Sequence, residues 1–382
     1  MSDRTVGVGM IGYAFMGRVH SQAWRSVSAF FDLPVKPRMR VIAGRSKEAT
    51  EAAAEQLGWD EAVTDWREVI ARDDVDIVDI CTPGDTHAEI AIAALQAGKH
   101  VICEKPLANT VEEAEAMTAA AAGATGKSMV AFNYRRVPAI ALARRLVEEG
   151  RLGEIRHVRA QYLQDWIVDP DFPLVWRLQK DKAGSGALGD IGAHIIDAAQ
   201  FIAGQHLVGV SALTETFIKE RPLAEGSTGL AASGGTGTGP VTVDDAALFI
   251  GRLSGGALGT FEATRFATGR KNALRMELNG SLGSVAFDFE AMNELWVSDG
   301  GRGFERILVT EPDHPYVGAW WPPGHGLGYE HTFTHEIKDF LEAIGQGTDP
   351  TPSFADGLRV QRVLAAVERS AAEGSRYTTV ED

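Results

Sequence analysis

At 382 residues with 45% hydrophobic content, the chain is long enough to bury two substantial cores, and its composition is that of an ordinary globular protein. Acidic residues outnumber basic ones 52 to 37, a net charge of -15, and no basic run is dense enough to track a phosphate backbone, which excludes nucleic acid and anionic membrane as partners. No apolar stretch reaches the length of a membrane span, and Met1 to Thr5 lead into a strand pattern without an apolar leader, so the expected location is the cytoplasm.

In chain order, the first third alternates short apolar runs with helical patterns, as a parallel sheet with crossover helices requires. Strands are expected at Thr5 to Ile11, Met39 to Ala43, near Ala62, Val75 to Cys81, His100 to Cys103 and Ser128 to Phe132. Helical periodicity falls between them at Val19 to Ser28, Lys47 to Leu57, Thr86 to Ala97 and Val111 to Ala122. The pattern predicts a doubly wound α/β nucleotide-binding domain over 1–132. Cys81 and Cys103 each end a buried run and read as reduced core thiols, not as a disulfide or a metal pair.

Over 133–382 the pattern changes to helix Ala139 to Glu149, strand Ile155 to Leu163, an irregular Trp- and Pro-containing stretch, and helix Asp190 to Ala203. Extended runs follow at Val208 to Ile218, Val243 to Leu253, Ala257 to Phe266, Leu274 to Asn279 and Ser284 to Phe289, which predict an α+β domain on an open, largely antiparallel sheet. Gly226 to Gly239, rich in Gly, Ser and Thr, is expected to be a mobile loop. Two helices close the chain, Tyr329 to Ile344 and Phe354 to Ala372, the second opened by the capping pattern Ser353-x-x-Asp356.

A pattern search finds Gly7-x-Gly9-x-x-Gly12, but Val6 to Ile11 is itself the first strand, so Gly7 and Gly9 cannot form the turn that follows it. The correctly placed turn is Gly12-Tyr13-Ala14-Phe15-Met16-Gly17: Gly12 takes the chain off the strand, and Gly17 lets the next helix pack closely on the sheet. Backbone N–H groups at that helix start can hold a pyrophosphate. The second strand runs out at Ala43-Gly44-Arg45-Ser46 with no acid to read a ribose hydroxyl. Arg45 with Ser46 suits a 2'-phosphate and favours NADP over NAD; in the alternative, Arg45 merely stacks on adenine with either cofactor.

Lys105, in Glu104-Lys105-Pro106, stands just past an apolar strand, where an open parallel sheet meets its ligand. In the second domain Asp190 and His194 lie four apart on the polar stripe of a helix that also carries Asp197, opposite Ile191, Ile195, Ala198 and Ile202. A carboxylate beside an imidazole orients the ring and supports its protonated form, which suits a general base. The bland alternative is a helix-start charge and a satisfied core histidine. Tyr134, Gln164, Trp176 and Arg177 suit a polyhydroxylated ligand, since phenol, amide and guanidinium groups bond hydroxyls and aromatic faces cover sugar C–H surfaces. Tyr329 is a further candidate for the substrate. His331 and His335 stand at metal-ligand spacing, but no third ligand joins them and no metal is expected.

With Gly12-x-Ala14-x-x-Gly17, Thr82-Pro83, Glu104-Lys105-Pro106, Asn133-Tyr134-Arg135-Arg136-x-Pro138 and Asp190-x-x-x-His194 in order, nearly the whole chain resembles the Gfo/Idh/MocA oxidoreductases. Within them it is most similar to the inositol and sugar dehydrogenases, and the stretch from Tyr162 through Trp176-Arg177 to Asp190 resembles the levoglucosan dehydrogenases. The resemblance implies a catalytic set of Lys105, Asp190 and His194, and a C-terminal sheet that packs in a homodimer or homotetramer. It also implies cofactor contacts along Gly12 to Gly17 and at Arg45, Ser46, Thr82, Pro83, His87, Glu104, Lys105, Asn133 and Arg177. The expected activity is hydride transfer between NAD(P) and a hydroxyl or keto group of a cyclic polyol or sugar: an inositol, an aldose or an anhydrosugar. Either Lys105 or His194 is the immediate base. Two rival functions share the fold, a redox-neutral glycoside-cleaving enzyme and a non-catalytic dinucleotide-binding sensor; retention of Lys105, Asp190 and His194 argues against the sensor.

Overall fold

The computed structural model describes residues 4–228 and 231–381. The chain divides into two compact units: the first ends at Asn133 and takes in Tyr329–Leu358, and the second runs Tyr134–Gly328 and resumes at Arg359.

The first unit is built on six parallel strands: β1 (Thr5–Ile11), β2 (Lys36–Ala43), β3 (Glu61–Val63), β4 (Ile77–Ile80), β5 (His100–Cys103) and β6 (Ser128–Val130). Their order is β3-β2-β1-β4-β5-β6. Strand order reverses between β1 and β4, the point at whose carboxyl end open α/β sheets bind their ligands. Helices α1 (Phe15–Phe30), α2 (Lys47–Leu57), α3 (Trp66–Ile70), α4 (His87–Gln96) and α5 (Val111–Gly123) connect the strands. Only α3 was not foreseen; at five residues it is too short to show a helical period, and it is started by Asp65 accepting the Arg67 N–H at 2.9 Å.

In the second unit α6 (Pro138–Glu148), β7 (Ile155–Leu163), α7 (Lys180–Ala183) and α8 (Ala193–Ala203) precede the remaining strands. These are β8 (Leu207–Glu215), β9 (Glu220–Thr228), β10 (Ala231–Pro240), β11 (Ala246–Leu253), β12 (Leu258–Thr264), β13 (Ala273–Gly280), β14 (Ser284–Asp288), β15 (Glu294–Ser298), β16 (Glu305–Leu308) and β17 (Thr378–Thr379). Eight of them join β7 in one nine-stranded sheet, ordered β16-β15-β14-β13-β7-β12-β11-β8-β17 and antiparallel except where β7 meets β12. Helices α6 and α8 pack on one face. The other face presents Leu213, Leu248, Ile250 and Leu258, with Ile250 60% exposed.

Two expectations are corrected. Gly226 to Gly239 is not a loop: β9 and β10 pair as an antiparallel hairpin around residues 229–230, which lie outside the described residues. Its Gly, Ser and Thr lack the alternation that marks a strand, and pairing along the backbone makes up for it. The second correction concerns 133–382 as a single domain. Helix α9 (Tyr329–Gln346) belongs to the first unit, where Phe333, Ile337, Phe340, Leu341 and Ile344 share a core with Val6, Val8 and Met10 of β1 and Trp24 and Val27 of α1. An amphipathic stripe states that a helix needs a core, not which one. Helix α10 (Phe354–Ala372) opens with the expected reciprocal cap, Ser353 N–H to Asp356 at 2.8 Å and Asp356 N–H to Ser353 Oγ at 3.3 Å.

Candidate active site

The nucleotide turn is built by steric necessity. Gly12 sits at φ 102°, in the left-handed region, and a Cβ there would lie 2.7 Å from the Cys81 carbonyl oxygen. At Gly17 a Cβ would come within 2.2 Å of the Gly12 carbonyl oxygen, so α1 can start this close to the sheet only with glycine. Gly7 and Gly9 lie inside β1 and serve packing instead: a Cβ would stand 1.8 Å from the Asp74 carbonyl oxygen and 2.3 Å from Val69, respectively. Ala14 precedes α1 without a side-chain cap, and the first turn holds no acid. The N–H groups of Phe15, Met16 and Gly17 therefore have no intrahelical acceptor and suit an anion such as a pyrophosphate. Phe15 stacks on Tyr329, ring centroids 6.3 Å apart, so Tyr329 lies beside this turn.

At the end of β2, a Cβ on Gly44 would meet the Tyr13 ring at 2.0 Å; Tyr13 covers the position where an acid would read the ribose. Ser46 caps α2, accepting the Ala49 N–H at 3.4 Å, while Arg45 is exposed. The serine thus has a structural duty that the 2'-phosphate reading did not foresee. Thr82 and Pro83 follow β4, with the Thr82 hydroxyl accepting from Thr86 at 2.7 Å. His87 is buried, its Nδ1 3.1 Å from the Pro106 carbonyl and its Nε2 2.9 Å from the Thr82 carbonyl. The ring braces the loops that leave β4 and β5.

Glu104 is also turned inward: Oε1 lies 3.0 Å from His20 Nε2, and Oε2 accepts the Lys105 N–H at 3.0 Å. Lys105 itself is half-buried, and its peptide bond to Pro106 is cis. Asn133 is buried and donates to Thr332 Oγ1 at 2.9 Å, tying the end of the parallel sheet to α9.

In the second unit, Asp190 does not open a regular α-helix. Leu188–Gly192 form a single π turn ahead of α8, a distortion that recurs at functional positions. Asp244 anchors the approach: its carboxylate accepts the Gly186 and Leu188 N–H groups at 2.7 and 2.8 Å, and its carbonyl accepts that of Ala187 at 3.0 Å. Gly186 is required there, since a Cβ would be 1.8 Å from the Asp244 carbonyl oxygen. Asp190 pairs with Arg265, Nη1 to Oδ2 3.5 Å, and Arg265 is itself fully buried. Asp197, on the expected polar stripe, is held in a two-pronged pair by Arg135 at 2.9 and 2.5 Å and is structural.

His194 lies against Tyr134 and Tyr162, ring centroids 4.5 and 5.9 Å away. A hydrogen-bonded chain runs from there: Tyr134 and Tyr162 share a 2.6 Å contact between hydroxyls, Tyr162 donates to Asn272 Oδ1 at 2.6 Å, Gln164 Nε2 donates to the same oxygen at 2.9 Å, and Trp166 donates to Gln164 at 3.0 Å. Gln164, expected to bond a substrate hydroxyl, thus already has partners at both ends of its amide. The Arg177 guanidinium lies 4.4 Å over the Trp176 ring, which joins those two candidates.

Residues 6–132 match a family described as "Oxidoreductase family, NAD-binding Rossmann fold", and residues 140–286 match "GFO/IDH/MocA C-terminal domain". Over 382 residues the chain is 46% identical to levoglucosan dehydrogenase of Pseudarthrobacter phenanthrenivorans, covering 97% of each. The chain belongs to the Gfo/Idh/MocA oxidoreductase family. Among solved structures it is similar to an oxidoreductase domain protein from Kribbella flavida, with 63% identity, a TM-score of 0.95, and coverage of 99% of this chain and 100% of that one. It is also similar to levoglucosan dehydrogenase in complex with NADH and levoglucosan, at 44% identity, a TM-score of 0.92 and the same coverage.

As a Gfo/Idh/MocA member the protein is an oxidoreductase whose first unit is an NAD-binding Rossmann domain. The expectation of NADP finds no support in these relatives. Among the described residues no helix is long and apolar enough to cross a membrane.

Sequence reasoning missed His20, Asp79, Tyr162, Asp244, Arg265 and Asn272. Signals existed for some: Asp79 breaks the apolar run Ile77-Val78-Asp79-Ile80, and Tyr162 continues the buried face Val158, Ala160 on β7. No local signal marks Arg265 or Asn272, whose partners lie far along the chain.

Proposed function

We propose that the protein is an NAD-dependent dehydrogenase that oxidises a ring hydroxyl of an anhydrosugar or a related cyclic polyol. The observation that carries this is similarity to levoglucosan dehydrogenase along both units at 46% identity. The polar chain beside His194 supports it, because the phenol and amide groups of Tyr134, Tyr162 and Asn272 suit a ligand rich in hydroxyls, with Gln164 bonded to Asn272 behind them.

The turn from Gly12 to Gly17 would hold the pyrophosphate, Arg45 the adenosine end, and Thr82, Pro83 and Asn133 the nicotinamide end. Bound there, a nicotinamide would supply the hydride acceptor for oxidation of a carbinol carbon and the hydride donor for the reverse reaction. Lys105 hydrogen-bonds the reacting hydroxyl through Nζ, His194 receives the proton, and Asp190, set by Arg265, takes a neighbouring hydroxyl. Either Lys105 or His194 takes the first proton. Trp176 and Arg177 bind the sugar. The exposed apolar face with Leu213, Leu248, Ile250 and Leu258 packs on a second copy of the chain. Free, buried Cys81 and Cys103 fit a reducing compartment, the cytoplasm.

The test is initial-rate assay of levoglucosan, inositols and aldoses with NAD and with NADP, following absorbance of the reduced nicotinamide. The expected result is kcat/KM highest for an anhydrosugar and at least about tenfold higher with NAD than with NADP. Failure of every sugar to reduce either cofactor would overturn the reading.

A further inference from the structure

The first unit keeps charge where a parallel sheet tolerates it least. Asp79 lies within β4, fully buried between Val78 and Ile80. Three donors converge on its carboxylate: His20 Nδ1 at 3.0 Å, Trp24 Nε1 at 2.7 Å and Cys81 Sγ at 3.3 Å. His20 then turns its other nitrogen to Glu104 Oε1 at 3.0 Å, and Glu104 Oε2 accepts the Lys105 N–H at 3.0 Å. None of His20, Asp79 and Glu104 is more than 4% exposed. A chain of four groups thus runs from the middle of the sheet to the backbone of Lys105.

A neutral imidazole has one N–H, and here both ring nitrogens face carboxylate oxygens, so the imidazolium is the form that satisfies both. Burial pulls the His20 pKa down, but the charge and hydrogen bond of Asp79 more than offset this and hold it well above the ordinary histidine value. His20, Asp79 and Cys81 also have the spacing of a metal site, with ligand atoms within 4.8 Å of one another. A metal there would need the thiolate, and burial keeps the Cys81 thiol far above its ordinary pKa. The group is explained by hydrogen bonds alone.

The ladder of β4 with β5 already holds the strand, so this costly network adds something only at the strand's exit, where Glu104 grips the residue that follows. We propose that His20 and Asp79 are positioning residues that act through Glu104 to set the backbone at Lys105, and hence where its ammonium group stands. This rests on the reading of Lys105 as a proton-handling residue.

A double-mutant cycle on the full-length protein tests it, with His20→Leu and Lys105→Ala alone and combined, using NAD and levoglucosan. The readouts are kcat from single-turnover traces, the NADH dissociation constant and the thermal midpoint. His20→Leu should lower kcat about 10- to 100-fold in the Lys105 enzyme, leave NADH affinity within about threefold, and change kcat by less than about twofold in the Lys105→Ala background. Equal losses in both backgrounds, or none in the Lys105 enzyme, would overturn the positioning role and leave the Lys105 reading standing. Near-normal turnover in Lys105→Ala alone would remove the Lys105 reading itself. If His20→Leu does not fold, His20→Gln keeps one donor for the buried carboxylates while breaking the bridge, and enters the same cycle with the same expectations.

Discussion

Gly17→Ala should separate the role of the nucleotide turn from that of the helix it starts. The added methyl would stand 2.2 Å from the Gly12 carbonyl oxygen, whereas real Cβ contacts do not fall below 3.0 Å, so the turn and α1 must part by about 0.8 Å. Gly12 cannot yield easily, because its N–H is bonded to the Ala43 carbonyl at 2.9 Å and the Cys81 carbonyl stands on its other side. Overpacking of this kind costs about 1–3 kcal/mol, from which the better helix propensity of alanine returns about 1. The displaced N–H groups are those offered to the pyrophosphate; loss of one hydrogen bond to a charged group, about 1.5–3 kcal/mol, weakens NADH binding about 10- to 100-fold. Gly123→Ala is the matched control, since nothing lies within 4 Å of a Cβ at the end of α5. Fluorescence titration with NADH and thermal unfolding measure both effects. The expected pattern is a midpoint lowered by a few degrees and a large affinity loss for Gly17→Ala, with neither for Gly123→Ala. NADH affinity within about twofold of the parent in Gly17→Ala would refute the turn as the pyrophosphate cradle.

Three further outcomes are expected. Asn272→Ala takes away the acceptor shared by Tyr162 and Gln164, and should raise KM for levoglucosan about tenfold while moving the NADH dissociation constant little, as steady-state kinetics will show. Because the folded-state pKa of His20 is raised above its ordinary value of 6.5, its stabilisation is fully present below that pH and is lost as pH rises through the folded-state pKa. Urea unfolding over a pH series should therefore find the stability gap between the parent and His20→Leu narrowing as pH rises; a widening gap would contradict it. Ile250→Glu, placed on the open sheet face, should shift the mass from light scattering from oligomer to monomer with the unfolding midpoint of the separated chain little changed.

Much of the fold could be read along the chain, because its elements are local and strongly patterned. The parallel strands carry near-continuous apolar runs, as strands covered on both faces do, and Gly12 and Gly17 announce a turn by their place after the first of them. The same reasoning discarded Gly7 and Gly9, which the structure places inside β1. It failed at β9 and β10, whose Gly, Ser and Thr carry no alternation, and at β15 and β16, where a short strand leaves too few positions to show a period.

Residue types in their order along the chain, with the family resemblance they carry, marked Lys105, Asp190, His194 and Tyr134 as the candidates for the proposed chemistry. Which side chains hold them was decided only in three dimensions. Arg265 reaches Asp190 from a strand end, Asp244 grips the turn before it, and His20 meets Asp79 and Glu104 across 59 and 84 positions of sequence. The assignment of α9 to the first unit was settled in the same way. Local pattern records what each residue needs, a core or a hydrogen-bond partner; the partner itself comes from distant segments that only packing brings within 3 Å or so.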